Sequence, residues 1–300
     1  MSPDFSLPDY LKAKTALIDE ALAGYFSEDS PRCRLICKAA RYSLLSGGKR
    51  IRPVLCIAAA EALGEKAVDV LPAACALEMI HAYSLIHDDL PAMDNDDYRR
   101  GQLTSHKVFG DDIAILAGDA LLTEAFKILA DRKKTPKVSP GRMLAASREV
   151  AEAAGYRGMV GGQALDVRME GKKGELEELC AIHRLKTGAL LRASLRCGAI
   201  LAGADKKALD DLSAYGDRIG LAFQIADDIL NVEGDSRLLG KETGSDAKRG
   251  KITFPALLGL EASHKKAQEL VDEAVSFLGA FKDQAAPLEA IARYIVNRRT

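Results

Sequence analysis

The sequence predicts an all-α protein. Apolar residues recur at helical spacing through long windows, strand-like alternation is nearly absent, and short segments containing glycine or proline separate the windows. A chain of 300 residues can form about two domains, but no linker rich in proline, glycine or serine divides this one, so we expect a single domain over 1–300. The predicted helices span 8–25, 31–46, 51–63, 67–89, 111–131, 140–157, 159–169, 175–203, 206–232, 252–280 and 284–298.

Two of the predicted helices, 67–89 and 206–232, are apolar almost all round. Helices of this kind lie in the interior of a protein, so both are expected at the centre of a bundle. Each of them also ends in a cluster of acidic residues, and the two clusters are the first places to look for a site.

Composition argues against nucleic acid or a membrane as a partner. The 42 basic and 43 acidic side chains give a net charge of −1, with no general attraction to anionic surfaces. We find no signal peptide and no uninterrupted run of the ~20 apolar residues that a membrane span requires.

Among the six cysteines, Cys180 with His183 loosely suggests zinc, but no second pair completes a tetrahedral site. We therefore expect reduced, buried thiols and a cytoplasmic protein.

The first acidic cluster is HDDLPAMDNDDYRRG at 87–101, where five aspartates fall within ten residues and two arginines follow. Carboxylates at this density repel one another wherever water is partly excluded. Bound Mg²⁺ removes that cost, because it takes oxygen ligands and shares its coordination shell with phosphates, which arginines also bind. The segment is therefore a candidate site for Mg²⁺ and a diphosphate, and a solvated acidic turn is the alternative.

Asp88 and Asp94 can meet at such a site only across a turn. Their separation of six residues corresponds to about 240° around a helix, which would place the two carboxylates on opposite sides. Pro91 ends the helix and allows Asp94 to return from a non-helical turn.

The second acidic cluster, FQIADDILN at 223–231, closes the helix 206–232. Its polar residues lie at i, i+3, i+4 and i+7, which places them on one helix face: Gln224, Asp227, Asp228 and Asn231. Their neighbours are apolar, and a buried carboxylate needs a partner. A cation is the simplest partner, and a Lys or Arg from a neighbouring helix is the alternative.

Basic residues occur in three further segments. Lys49 and Arg52 lie at a helix start in GGKRIRP, where backbone N–H groups also favour anions. Lys186 and Thr187 interrupt an apolar helix, and Lys241 lies in a glycine-containing basic loop suited to closing over a charged ligand.

His81 lies seven residues before Asp88, about 20° away around the same helix. It is a further candidate for anion binding, with a core histidine as the alternative. Two acidic clusters, several basic clusters and an apolar interior together imply a substrate with a diphosphate head and a hydrocarbon tail.

Six motifs in this order resemble the bacterial short-chain trans-isoprenyl diphosphate synthases, most closely those that make farnesyl diphosphate. The motifs are GGKRIRP at 47–53, HDDLPAMDNDDYRRG at 87–101, GGQALD at 161–166, KTG at 186–188, FQIADDILN at 223–231 and GKETGSDAKRGKITFP at 240–255. The resemblance implies the isoprenoid synthase fold, a single large helical bundle around a deep central cavity, and a homodimer.

The same resemblance implies a role for each candidate residue. Asp88 and Asp94 would ligate Mg²⁺ with Asp89 in support. Asp227, with Asp228 beside it, would hold a third Mg²⁺; Mn²⁺ is a possible substitute.

The resemblance also implies which residues bind the substrates. The allylic diphosphate would be bound by Arg99, Lys186 and Lys241, and isopentenyl diphosphate by Lys49, Arg52, His81 and Arg100. Thr187 and Gln224 would face the reacting carbons, with Gln163 and Asp166 in support.

One residue departs from the family pattern. Asn231 stands where the second motif commonly has an aspartate. An amide oxygen can still ligate Mg²⁺ or a bound water, but it brings no charge, so we expect a weaker third metal site and retained activity.

Product length would depend on the residue that blocks the cavity below the first cluster. Helix geometry alone favours Ser84, about 40° from Asp88, over Tyr83, about 140° away. The resemblance instead implies that an aromatic at Tyr83 goes with short products, whereas an ordinary core tyrosine is the alternative. We therefore expect a fifteen-carbon product.

Four other functions remain open. A geranyl or geranylgeranyl diphosphate synthase uses the same chemistry and stops at another length. A terpene cyclase is disfavoured by the second set of basic residues and by the low aromatic content of 5%. A non-catalytic regulatory subunit is disfavoured because both acidic clusters are nearly intact.

Overall fold

The computed structural model describes residues 5–27, 31–233 and 251–297, and its secondary structure there is almost entirely helical. The helices are α1 (Leu7–Ala23), α2 (Arg34–Leu44), α3 (Ile51–Ala62), α4 (Ala67–Asp88), α5 (Ser105–Phe109), α6 (Asp111–Ala130), α7 (Pro140–Ala154), α8 (Met159–Met169), α9 (Leu176–His183), α10 (Ala189–Ala202), α11 (Lys206–Glu233), α12 (Phe254–Leu258), α13 (Leu260–Ser276) and α14 (Ala286–Asn297). The all-α prediction is confirmed.

Three shorter elements complete the described chain. A two-stranded antiparallel hairpin pairs β1 (Tyr98–Arg99) with β2 (Gln102–Leu103). A π-helical turn (Arg184–Gly188) joins α9 to α10, and a 3₁₀ segment (Gly279–Ala285) precedes α14. The sequence did not predict the hairpin, α5 or the π turn.

The predicted helix 252–280 is wrong in its continuity. The chain breaks at Gly259, whose φ of 81° lies in the left-handed region, and α12 ends there while α13 begins at the next residue. Glycine adopts this conformation without the steric cost that a Cβ brings. The leucines on both sides preserve the apolar pattern, which is why the break was not apparent.

The centre of the molecule is α10, which packs against α3, α4, α7 and α11. Within the described ranges, α4 alone has the length and hydropathy of a membrane-crossing helix, and 67% of that apolar window is buried inside the protein. A core helix has the same properties, and the prediction that 67–89 is central is confirmed.

Candidate active site

The end of α4 and the turn after it bring the first acidic cluster together. The helix ends at Asp88, and the backbone N–H of Asp94 donates to the carbonyl oxygen of Asp88 over 2.8 Å. Asn95 adopts a positive φ of 52° and donates its N–H to Leu90. The turn predicted from Pro91 therefore exists, and it returns Asp94 to the end of the helix.

Asp88 lies in an electrostatically unfavourable position. Burial is the main reason that the pKa of Asp88 rises to about 6, and the neighbouring Asp94 and Asp89 raise it further. Lys186 and Arg99 act in the opposite direction. Lys186 of the π turn is therefore close enough to Asp88 on α4 for its charge to act on this carboxylate, and the structure brings these two predicted site residues into one region.

Asp89 has a different environment from Asp88. It is buried, and both of its carboxylate oxygens lie 2.8 Å from Nε of Arg99. Arg99 comes from the hairpin, whose turn contains Arg100 and Gly101 with positive φ values. The hairpin therefore places Arg99 on the acidic cluster, whereas Arg100 belongs to the second basic region described below.

The base of the hairpin is fixed by Thr104. Its hydroxyl donates to the carbonyl oxygen of Asp96 over 2.8 Å, and Nδ1 of His106 lies 3.1 Å from the same hydroxyl. Since the single hydroxyl proton goes to Asp96, Nδ1 of His106 is the donor in the second bond.

A second basic region lies beside the first cluster and contains Arg52, His81 and Arg100. Burial is the main reason that the pKa values of all three fall, that of Arg52 to about 10, and the neighbouring arginines lower the pKa of His81 further. Within the described residues, Nε of Arg52 is buried without a hydrogen-bond partner. Desolvated cations at this density favour an anionic ligand. Lys49, which is exposed, precedes this region.

Arg50, between Lys49 and Arg52 in the sequence, is structural. Its buried guanidinium donates to Glu78 over 2.7 Å and to Asp19 over 2.8 Å. Burial alone would lower the pKa of Arg50, but the two carboxylates raise it. Such a pair is costly to break, because either partner alone would be a buried charge.

The π turn supports Lys186 at the centre of the site. Nζ of Lys186 lies 2.5 Å from Oδ2 of Asp166 on α8, and Nζ of Lys251 lies 3.7 Å from the same oxygen. Burial alone would raise the pKa of Asp166, but the two lysines hold it below its usual value. Single π turns are frequent at functional sites. Lys251 lies in the predicted basic loop, but sequence analysis did not single it out.

The close packing around Lys186 depends on a glycine. A Cβ built on Gly162 of α8 would lie 2.1 Å from the backbone nitrogen of Lys186. No side chain fits there, so α8 approaches the π turn through backbone alone. This explains one of the two glycines of GGQALD. Gln163, next to it, has a buried Oε1 without a partner among the described residues, and Thr187 is buried.

The second acidic cluster does not present one uniform polar face. Asp227 is exposed and Gln224 and Asn231 are partly buried, but Asp228 is only 6% exposed. Oδ2 of Asp228 accepts the backbone N–H of Phe254 over 2.9 Å and lies 3.3 Å from Nε2 of His183. A histidine and a backbone amide therefore partner Asp228, which neither expectation for this cluster included.

Tyr83 and Ser84 differ in what they contact. The ring of Tyr83 is buried and meets the ring of His87 edge to face, with centroids 5.7 Å apart. The hydroxyl of Ser84 donates to the carbonyl oxygen of His81 within the same helix.

One predicted site residue, Lys241, lies outside the described residues.

The donors fit a hard cation such as Mg²⁺ when a ligand completes its shell. Asp88 and Asp94 supply oxygen ligands, and the raised pKa of Asp88 indicates that Lys186 and Arg99 do not fully offset the effects of burial and of the neighbouring carboxylates. Among the residues that the structure describes, no three His, Cys, Asp or Glu side chains are grouped closely enough to hold an ion. A bound Mg²⁺ must therefore take further oxygens from waters and from a diphosphate.

Comparison with known proteins gives consistent matches over nearly the whole chain. A sequence profile described as polyprenyl synthetase matches residues 33–292. The chain is 47% identical over 295 residues to the farnesyl diphosphate synthase of Escherichia coli (strain K12), covering 97% of this chain and 98% of that protein. It is 46% identical over 299 residues to the geranylgeranyl diphosphate synthase of Cyanophora paradoxa, covering 99% and 98%.

The solved structures agree with the sequence matches. A crystal structure of an FPP/GFPP synthase from Zymomonas mobilis superposes with a TM-score of 0.87 at 41% identity, covering 97% of this chain and 98% of that one. The two proteins share one fold, as the six sequence motifs predict.

Proposed function

The chain belongs to the polyprenyl synthetase family and is a trans-prenyltransferase, and on that premise we propose that it makes (2E,6E)-farnesyl diphosphate. The reaction joins isopentenyl diphosphate first to dimethylallyl diphosphate and then to geranyl diphosphate. Each cycle consists of ionisation of the allylic substrate, condensation of the two carbon chains and loss of a proton.

The observation that supports a synthase is that two groups of charged residues are each suited to bind an anion. Asp88, Lys186 and Lys251 form the first, while Arg52, His81 and Arg100 form the second. A synthase binds two diphosphates, whereas a cyclase binds one, so the second basic region favours a synthase. Its desolvated Arg52, with an unpartnered Nε among the described residues, fits a charged oxygen of isopentenyl diphosphate.

Asp88 and Asp94 would hold Mg²⁺ or Mn²⁺ on the allylic side, with Asp89 in support, and Asp227 would hold a third ion. When bound, the metal neutralises charge that develops on the departing pyrophosphate. Arg99, Lys186 and Lys241 bind the allylic diphosphate directly and stabilise the same charge. Asn231 and Gln163 stay in the supporting roles that the family resemblance implies.

The carbon chemistry requires no nucleophilic side chain. Carbonyl dipoles of Thr187 and Gln224 face the allylic cation and stabilise it without attacking it. The double bond of isopentenyl diphosphate then adds to the cation, and the proton released passes to the departing pyrophosphate. The apolar cavity that the family resemblance implies would exclude water that could otherwise capture the cation.

The fifteen-carbon product rests on Tyr83. Its ring, five residues before Asp88 on α4, is buried against His87 and is the bulkiest side chain expected beneath the first cluster. A geranylgeranyl product is the alternative, since the relatives named above include synthases for both products. Ser84 is too small to block a growing chain.

We also propose that the enzyme is a cytoplasmic homodimer. The outer face of α6 exposes Ile115 at 43% and Leu116 at 51%. Neighbouring apolar side chains on one helix are costly to leave in water, and a second copy would cover them. Light scattering after size-exclusion chromatography tests this directly: a mass near 32 kDa, which is that of one chain, would contradict it.

The decisive test is incubation of the purified enzyme with isopentenyl and dimethylallyl diphosphates and Mg²⁺, followed by chromatographic sizing of the dephosphorylated products. We expect farnesol. Geranylgeraniol would support the alternative length, cyclic hydrocarbons would indicate a cyclase, and no product at any Mg²⁺ concentration would indicate a regulatory subunit.

A further inference from the structure

Asp228 and His183 form a buried contact beside the second acidic cluster. Oδ2 of Asp228 lies 3.3 Å from Nε2 of His183, and both side chains are less than a tenth exposed. An ionised carboxylate only accepts hydrogen bonds, so Nε2 of His183 carries the proton and donates it. The negative charge of Asp228 is therefore satisfied within the protein.

The same contact includes the first residue of α12. Oδ2 of Asp228 also accepts the backbone N–H of Phe254 over 2.9 Å. The ring of Phe254 stacks on the ring of His183, with centroids 5.7 Å apart and planes 18° from parallel. The first amides of a helix have no partner within it, so Asp228 supplies the one that Phe254 lacks. Three helices, α9, α11 and α12, are joined at this point.

Phe254 is separated from Lys251 by only two residues, neither of which is in a helix or strand. Three residues reach at most about 10 Å, so the position of Phe254 limits where Lys251 can lie. Nζ of Lys251 is 3.7 Å from Asp166, whose carboxylate also contacts Lys186. The buried contact therefore restricts the position of Lys251 in the region that is proposed to surround the allylic diphosphate.

Asp227 differs from Asp228 in both direction and exposure. Consecutive residues on a helix project about 100° apart, and here Asp227 is exposed whereas Asp228 is buried against α9 and α12. The two adjacent aspartates of one motif are therefore suited to different tasks.

We infer that Asp228 is a positioning residue and not a metal ligand, and that the His183–Asp228 pair holds Lys251 at the diphosphate site by fixing Phe254. The inference rests on the proposed function, because it takes Lys251 to contact the diphosphate of the allylic substrate. It revises the metal-binding role that the family resemblance implies for Asp228.

The first test compares two isosteric variants by calorimetric titration of inorganic pyrophosphate at several Mg²⁺ concentrations. Both contacts of Asp228 converge on one oxygen, which the amide oxygen of Asp228→Asn can replace, so this variant is expected to bind like the wild type. Asp227→Asn removes a charge from the proposed metal ligand and is expected to need about tenfold more Mg²⁺. Equal increases in the Mg²⁺ requirement of the two variants would overturn the inference.

The second test is a double-mutant cycle on the pyrophosphate dissociation constant. Asp228→Ala and Lys251→Ala are each expected to weaken binding about tenfold, and the double variant to bind no more weakly than Lys251→Ala alone, since one residue acts through the other. Losses that multiply would overturn the inference. If Asp228→Ala does not fold, His183→Ala takes its place in the cycle.

Wild-type behaviour separates this inference from the proposed function. A wild-type enzyme that neither binds pyrophosphate with Mg²⁺ nor forms a prenyl product contradicts the proposed function itself. A wild-type enzyme that does both, together with a multiplicative cycle, contradicts only the role of the His183–Asp228 pair.

Discussion

Arg99 and Asp89 form a two-pronged ion pair, in which Nε of the arginine lies 2.8 Å from both carboxylate oxygens and Nη2 lies 2.5 Å from one of them. Asp89 is 3% exposed, so its charge depends on this partner. The pair thereby orients the arginine that is proposed to bind the allylic diphosphate. Asp88 differs from Asp89 in this respect, because no such pair of arginine contacts holds its carboxylate within the described residues.

Arg99→Lys tests the fork. A lysine has no planar pair of donors and cannot hold both oxygens of Asp89 while it reaches a diphosphate. We expect the KM for the allylic diphosphate to rise about tenfold, with little change in the KM for isopentenyl diphosphate. Arg100→Lys is the matched control and is expected to show the reverse pattern. Identical effects of the two variants on both KM values would contradict the separate roles of the arginines.

Asp88→Asn tests whether the buried charge of Asp88 lowers the stability of the protein when no cation is bound. The folded-state pKa of Asp88 is about 6, above the value of about 4 for an unfolded chain. Ionisation of Asp88 therefore lowers stability as pH rises from about 4 to 6, and the whole cost is present above pH 6. Without metal, we expect the variant to exceed the wild type at pH 7.5 by on the order of 2 kcal/mol.

The measurement is urea unfolding in EDTA at two pH values. At pH 4.5 the carboxyl of the folded wild type is mostly protonated whereas that of the unfolded chain is mostly ionised, so the difference in stability should fall to about a third of its value at pH 7.5. Asp97→Asn, at a carboxylate whose side chain is 56% exposed, should give no gain at either pH. An Asp88→Asn variant that is no more stable than the wild type at pH 7.5 would show that burial does not penalise this charge.

Tyr83→Ala tests the control of chain length. Removal of a buried ring opens space beneath the first cluster, so we expect products longer than fifteen carbons. Ser84→Ala, which deletes one hydroxyl from the adjacent position, should leave the product unchanged. Sizing of the products by chromatography decides the matter, and an altered length from Ser84→Ala alone would transfer the role to that residue. Circular dichroism verifies folding, since aromatic truncations cost about 3–5 kcal/mol.

Gly162→Ala tests the approach of α8 to the π turn. The added Cβ would lie 2.1 Å from the backbone nitrogen of Lys186, so the two segments must move apart. We expect a loss of about 1–3 kcal/mol in stability and a lower kcat, because Lys186 is displaced. Gly141→Ala on α7 meets no atom within 4 Å and should leave kcat unchanged, with thermal stability equal to or slightly above that of the wild type. Wild-type kcat in Gly162→Ala would show that Lys186 tolerates the displacement.

Most of the fold was predictable because helices of this length carry a strong apolar period. The end of α4 was also predictable, since Pro91 and the spacing of Asp88 and Asp94 lead to the same turn. The break at Gly259 was not, because apolar residues continue in phase on both sides of it. The hairpin at Tyr98–Leu103 is too short to produce an alternating pattern.

Part of the candidate site lay beyond sequence analysis for a different reason. Helical spacing places Asp227 and Asp228 on one broad face, but it does not reveal which neighbour packs against each of them. His183 lies 45 residues from Asp228 in the sequence, and only tertiary structure brings the two together. The arginines show the same limit: Arg50 and Arg52 look alike in GGKRIRP, yet Arg50 has two carboxylate partners and Nε of Arg52 has none among the described residues.

The π turn at Arg184–Gly188 makes this part of the chain intolerant of changes in length. Deleting one residue there would restore ordinary helical hydrogen bonds and produce a more regular rod from Leu176 onward. Each residue of an α-helix contributes about 100° of rotation and 1.5 Å of rise. Every side chain of α10 would then turn by that angle relative to α9, so a locally better helix would misalign the most central element of the protein.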